Sequence, residues 1–282
     1  MIIYKQYNQE QLNNQYNNRL HVPDFADYLE RWDKRSIETR NRHAYISNIR
    51  YGDHSRECLD LFPSGKPNAK VLVFIHGGYW QMFDKTKFHF IADTFVPHGI
   101  TTVLINYPLA PDATMDEMVA SCRKALRWLH EHLNKYNADP QQVYLAGHSA
   151  GGHLAAMFMQ KEWARGTQHF IKGVYAISGL YNLRPIQLSY LNKVLQMDEA
   201  MAIRNSPVEL MPSTFCPLLI AVGEAETQEF KEQGHELFNK GKNNTVSIDL
   251  VELPGLNHFS ILDSLVYENA LLCKSLLKLI GI

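Results

Sequence analysis

Three places in the 282-residue chain carry side chains that could share one reaction. In the first, Gly147-His148-Ser149-Ala150-Gly151 follows the apolar run VYLA and precedes the helix-favouring run HLAAMFM. GxSxG between a strand and a helix is the pattern of a nucleophile elbow. Its glycines let backbone pass where a Cβ would clash, and its serine hydroxyl stands clear of the sheet. The pentapeptide alone is weak evidence. A packing or phosphate-binding turn is the competing reading, but GHSAGG carries neither GK[ST] nor GxGxxG.

A serine attacking a carbonyl builds negative charge on oxygen, which needs preorganised N–H donors. One donor is expected from Ala150, the residue after the serine. The other is expected from the loop HGGYW after the apolar run KVLVFI, where Gly77 and Gly78 leave their amides uncovered. Tyr79 and Trp80 then stand beside the reacting carbonyl as flat apolar walls for an aromatic group. The plainer alternative is a turn whose aromatics cap the core. His76 reads as a structural hydrogen-bonding residue rather than a catalyst.

A base and an acid must follow, in the order Ser, acid, His. Of the histidines beyond residue 160, His235 falls in a helical run and His169 precedes a strand. His258, in the Pro/Gly loop ELPGLNHF after the last strand, is the expected base. The acid belongs after PLLIAV, where GEAETQEF offers Glu224, Glu226 and Glu229. Glu226, fourth in the turn, is the expected acid and Glu224 the second choice, while Glu229 reads as the charged start of a helix. Asp249 and Asp263 read as solvated.

Holding these groups together requires a sheet. Strand-like runs occur at HAYISNI, CLDLF, KVLVFIH, TTVLINY, QVYLAGH, IKGVYAIS, PLLIAVG and VSIDLVEL, with helical stretches between most of them from the third onward. That alternation predicts an α/β fold, a mainly parallel sheet of about eight strands with helices on both faces. The continuous runs VLVFI and LLIAV suit strands covered on both sides, and the alternating VSIDLVEL suits a more peripheral one. No repeat or low-complexity linker marks a second unit, so residues 1–282 are expected to form one domain. Within it, residues 1 to about 42 form an arm or cap with a short helix around DFADYLERWDKRS. The stretch from about 180 to 215, with Pro185, Pro207 and Pro212, is a candidate cap segment.

Composition narrows the partners. A 45% hydrophobic content supports one large core, and a net charge of -1 lacks the basic field of a nucleic-acid or anionic-membrane binder. A small or neutral partner is expected, and with Tyr79 and Trp80 as walls, a small aromatic molecule. Four well-separated cysteines with no CxxC pair argue against a zinc site, a redox motif or a disulfide framework, and fit reduced thiols in a cytosol. The first 20 residues lack the basic and apolar regions of an export signal, and no apolar run is long enough to cross a bilayer, so a cytoplasmic protein is expected. The sequence leaves the oligomeric state open, a homodimer among the states it allows.

Through HGGYW, GHSAGGHLAAM, VGEAETQEF and NHF the chain resembles the kynurenine formamidases (arylformamidases) of the α/β-hydrolase fold, from about residue 45 to the end. HGGYW is the most specific of these pieces; GxSxG marks only the superfamily. The resemblance implies deformylation of N-formyl-L-kynurenine in tryptophan breakdown, with Ser149 as nucleophile, His258 as base and position 226 as acid. The chain departs from the family pattern there, since vertebrate members carry Asp where this chain has Glu226, one methylene longer. A metal-dependent solution to the same reaction would want a cluster of His and Asp ligands, and the chain has no HExxH or comparable set, so neither metal nor cofactor is implied. The chemistry fits that substrate: a formyl group needs no acyl pocket, and an aniline nitrogen leaves with the help of one histidine acting as base and then acid. Two other readings stay open: a carboxylesterase for small aryl or alkyl esters, and a non-catalytic binding protein of the same fold, which would be expected to lose Ser149 or His258.

Overall fold

In the computed structural model, residues 1–159, 170–211, 216–243 and 247–282 are described. His169 and the end of the candidate cap segment, with Pro212, lie outside them. Eight strands form one sheet: β1 (Ile46–Arg50), β2 (Cys58–Phe62), β3 (Ala69–Ile75), β4 (Thr101–Ile105), β5 (Ala138–His148), β6 (Ile171–Ile177), β7 (Leu218–Gly223) and β8 (Ile248–Leu253). Their order is β8-β7-β6-β5-β3-β4-β2-β1. β1 pairs antiparallel with β2 and β2 antiparallel with β4, while β3 to β8 run parallel. This is the α/β-hydrolase architecture. It places the C-terminal ends of β3, β5, β6 and β7 side by side in the middle of the sheet, where crevices for ligands form in parallel sheets.

The apolar runs explain the layers. In β3, Val71, Val73 and Ile75 point into one core and Leu72 and Phe74 into the other, each nearly inaccessible to solvent. Burying such a side chain stabilises the fold by about 1.5–3 kcal/mol, so this strand has no face to spare for polar residues. β8, at the edge, is buried only at its two ends, Ile248 and Leu253, and leaves Asp249 in solvent. The Val71 side of the sheet is covered by Met115–His132, Ala150–Ala156 and Gln228–Asn243, and the Leu72 side by Phe25–Arg42 and Leu271–Ile280. Met115–His132 begins at a capping box in which Thr114 and Glu117 satisfy each other's backbone N–H groups. All four cysteine thiols are free and buried. No helix of the described residues is long and apolar enough to cross a membrane.

The first 42 residues, expected as an arm or cap with a short helix, carry more regular structure than that one helix. A hairpin of Ile2–Tyr4 with Tyr7–Asn8 leads into α1 (Gln9–Gln15), α2 (Asn18–His21) and α3 (Phe25–Arg42). α1 starts at Asn8, whose side chain and that of Gln11 form a second capping box. α3 runs six residues past the expected helix because polar residues cover its buried face: Ser36 donates to the Lys87 carbonyl and Thr39 to its own turn at Arg35. Trp32 donates through Nε1 to Asp263 at 2.7 Å, and Arg31 and Arg35 pair with the same carboxylate. Asp263 is therefore a half-buried anchor for α3 rather than the solvated residue its place in the sequence suggested. Among the described residues between β6 and β7 the chain makes four short helices, Arg184–Leu188, Asn192–Leu195, Glu199–Arg204 and Pro207–Leu210, two of them opened by prolines.

Candidate active site

At the end of β5 the chain turns abruptly into α4, here Ala150–Ala156, and Ser149 takes φ 57 and ψ -121. A left-handed φ is costly for a residue with a Cβ, and here it throws the hydroxyl out of the turn. A Cβ at Gly151 would run into the carbonyl oxygen of Ile75, so only glycine lets this helix pass so close to β3. Ser149 donates from Oγ to Nε2 of His258 at 3.0 Å. His258 in turn donates from Nδ1 to Oε2 of Glu226 at 2.7 Å. The other oxygen, Oε1, accepts from Ser178 Oγ at 2.6 Å and from the Gly223 backbone N–H at 2.8 Å. All three groups of the chain are buried. A carboxylate so placed fixes the proton on Nδ1 and leaves Nε2 free to take the serine's proton.

Of the three glutamates in the turn after β7, the structure brings only Glu226 to His258. Glu224 accepts from the Gly255 backbone N–H at the surface. Glu229 is buried beneath the N-terminal arm, where it pairs with Lys5 and accepts from Tyr16, and desolvation holds its carboxyl above the usual range. Among the other histidines considered, His235 is exposed and pairs with Glu252.

Gly77 lies against the elbow: a Cβ there would stand 3.0 Å from that of Ser149. The loop that follows is strained, with left-handed φ at Tyr79, Trp80 and Phe83. Tyr79 lines the cavity above Ser149, its hydroxyl donating to the Tyr16 carbonyl at 2.6 Å. Trp80 does not. Its indole is fully buried and donates to Nδ1 of His153, with the rings edge to face at 5.1 Å. The expectation that it walls the reacting carbonyl is corrected, because in this left-handed turn successive side chains diverge and the larger ring finds the core. His153 donates from Nε2 to the Asn205 carbonyl, and burial lowers its pKa to about 4, so it is a neutral acceptor for Trp80. His76 is buried between Phe88 and Tyr107, its pKa also lowered to about 4 by desolvation.

The cavity encloses about 300 Å³. Ser149, His258 and His148 form its floor, and Phe25, Trp32, Phe83, Phe88 and Phe259 supply aromatic walls. Asn17, Asn18 and Arg19 from the arm, with Tyr190 from the short helices after β6, close it. Sequence reasoning missed these arm residues, and missed Ser178 and His148. His148, inside the GHSAG motif, donates from Nε2 to the His258 carbonyl at 2.8 Å and so ties the His258 loop to the elbow. Burial, then the neighbouring His258, keeps it neutral. Only its place beside the serine hinted at this.

This arrangement can carry out acyl transfer from an aromatic substrate. Comparison with known proteins agrees. Residues 59–240 match the BD-FAE family model. The kynurenine formamidase of Danio rerio is 34% identical over 84% of this chain and 82% of its own length. A solved structure from Silicibacter sp. TM1040, described as a candidate thioesterase, superposes with a TM-score of 0.84 at 29% identity, covering 96% of this chain and 99% of the other. An esterase of Pyrobaculum calidifontis shares the fold with a TM-score of 0.71 at 18% identity, covering 94% and 95% of the two chains.

Proposed function

The chain belongs to the kynurenine formamidase family of α/β-hydrolases, and from that premise we propose that it hydrolyses N-formyl-L-kynurenine to L-kynurenine and formate, a step of tryptophan breakdown. The observation that carries this reading is the unbroken hydrogen-bond chain Ser149–His258–Glu226 on the floor of a cavity walled by aromatic rings. Ser149 Oγ attacks the formyl carbon as His258 Nε2 takes its proton, and Glu226 stabilises the imidazolium. The backbone amides of Ala150, Gly77 and Gly78 receive the developing oxyanion. His258 then returns the proton to the aniline nitrogen as the C–N bond breaks, leaving formyl on Ser149. Water, losing a proton to His258, attacks this ester; formate departs and Ser149 regains its hydroxyl. Tyr79 and the aromatic walls hold the aryl ring, so binding energy comes from the leaving-group side. Hydrophobic burial of one such ring supports binding in the range of about 1.5–3 kcal/mol.

Two measurements test the reading. Ser149→Ala, verified as folded, should lower kcat on N-formylkynurenine by about 10⁴-fold; retention of most activity would overturn it. Lengthening formyl to butyryl on the same aryl amine should collapse kcat/KM. Equal or faster turnover of butyryl compounds would favour a general carboxylesterase.

A further inference from the structure

The cavity holds a charge that catalysis does not use. Among its lining residues Arg19 alone carries a permanent charge, and none is acidic. Its guanidinium lies over the Phe25 ring, 5.1 Å from the centroid, and reaches Met82 Sδ at 3.4 Å. Neither partner neutralises it, and no ion pair among the described residues includes it. Aromatic rings link it to the reaction centre: Phe25 lies 6.1 Å from Phe259, whose ring is 5.7 Å from that of His258. One end of the cavity thus offers a nucleophile and the middle offers aromatic walls. The far end offers a cation that is exposed, lies over an aromatic ring and has no ion-pair partner among the described residues, so its guanidinium N–H groups are open to a carboxylate. Beside it, the Asn17 side chain makes no hydrogen bond among the described residues and presents an amide oxygen able to accept from an ammonium group.

We infer that Arg19 is a specificity-determining residue that binds the α-carboxylate of the substrate, so that the protein selects aryl formamides bearing an anionic amino-acid tail over neutral ones. The inference rests on the formamidase reading for the identity of the substrate, but the charge pattern stands without it. The arm is held where this requires: the Tyr16 carbonyl accepts from Tyr79, and Asn18 donates to the same Tyr79 hydroxyl at 3.3 Å. The carboxylate contact is made equally in substrate, transition state and product, so it belongs in KM rather than kcat.

Product binding separates the two ideas. L-kynurenine and its decarboxylated analogue, which keeps the ring, ketone and ammonium group, are compared as inhibitors of aryl-ester hydrolysis by the whole protein. The native chain should bind the carboxylate-bearing molecule about tenfold or more tighter, as one charge-assisted contact supports. Arg19→Gln should erase that ratio, Arg19→Lys should restore part of it, and added salt should shrink it only where the cation is present. Equal inhibition by the two molecules in the native chain, or an Arg19→Gln ratio matching the native one, would overturn the inference. Failure to turn over N-formylkynurenine while the ratio persists would instead sink the formamidase reading and leave the carboxylate site standing.

Discussion

Glu226 engages both carboxylate oxygens, one with His258 and the other with Ser178 and the Gly223 amide, so the longer side chain is held at each end of its carboxylate. A proton acceptor in that position supports the imidazolium only while charged. Glu226→Gln should therefore lower kcat by roughly 10² to 10⁴, whereas Glu224→Gln, altering a surface contact to Gly255, should stay within about tenfold. Steady-state kcat for both variants on one substrate decides between them, and a larger loss at Glu224 would contradict the geometry. Ser178→Ala removes a charge-assisted donor, which is worth about 1.5–3 kcal/mol, and should cost kcat at least about tenfold through the orientation of Glu226. The contacts among Ser149, His258 and Glu226 could be expected from motif and chain order, since each residue follows a recognisable strand. Ser178 could not. It reaches Glu226 because β6 and β7 are neighbours in space, and a serine ending a strand gives no sign of which carboxylate it will meet.

The elements hold the site by stitching loops to helices rather than by strands alone. Trp80 joins the HGGYW loop to α4 through His153, and His153 continues to Asn205 in the short helices after β6. Trp80→Phe should destabilise the fold by about 1–3 kcal/mol, because it leaves Nδ1 of a buried histidine unsatisfied. It should reduce kcat with little change in KM, since the loop it holds carries the amides proposed to receive the oxyanion and the indole does not line the cavity. A rise in KM alone would restore the wall role first expected of it. Strand runs and the elbow were plain in the sequence because apolar continuity and a glycine pattern are local signals. The arm was not: α3 buries Ser36 and Thr39, and Phe25 and Trp32 become cavity walls only by meeting residues more than fifty positions away. Nothing in a polar N-terminal stretch announces such contacts.

For the molecule as a whole, buried histidines set the response to acid. His76 and His153 are pushed down to about 4 and His148 well below its ordinary value, all by loss of water. The folded protein keeps them neutral while the unfolded chain protonates them near 6.5, so between about pH 6.5 and 4 the unfolded state binds more protons and stability falls as pH falls. Each contributes a slope of up to about 1.4 kcal/mol per pH unit. Urea unfolding at pH 7, 6 and 5 should show the midpoint dropping steadily; a flat profile would mean that water reaches these rings. The layered sheet itself was legible, since eight apolar runs with helices between them admit few other folds. The cavity draws on both ends of the chain, with Asn17 and Arg19 near one and His258 and Phe259 near the other. During synthesis Ser149 emerges from the ribosome more than a hundred residues ahead of His258. With Ser149 and His258 in the roles proposed, a nascent chain that has not yet passed β8 lacks its base, so hydrolysis is expected only once the C-terminal loop has been made and folded.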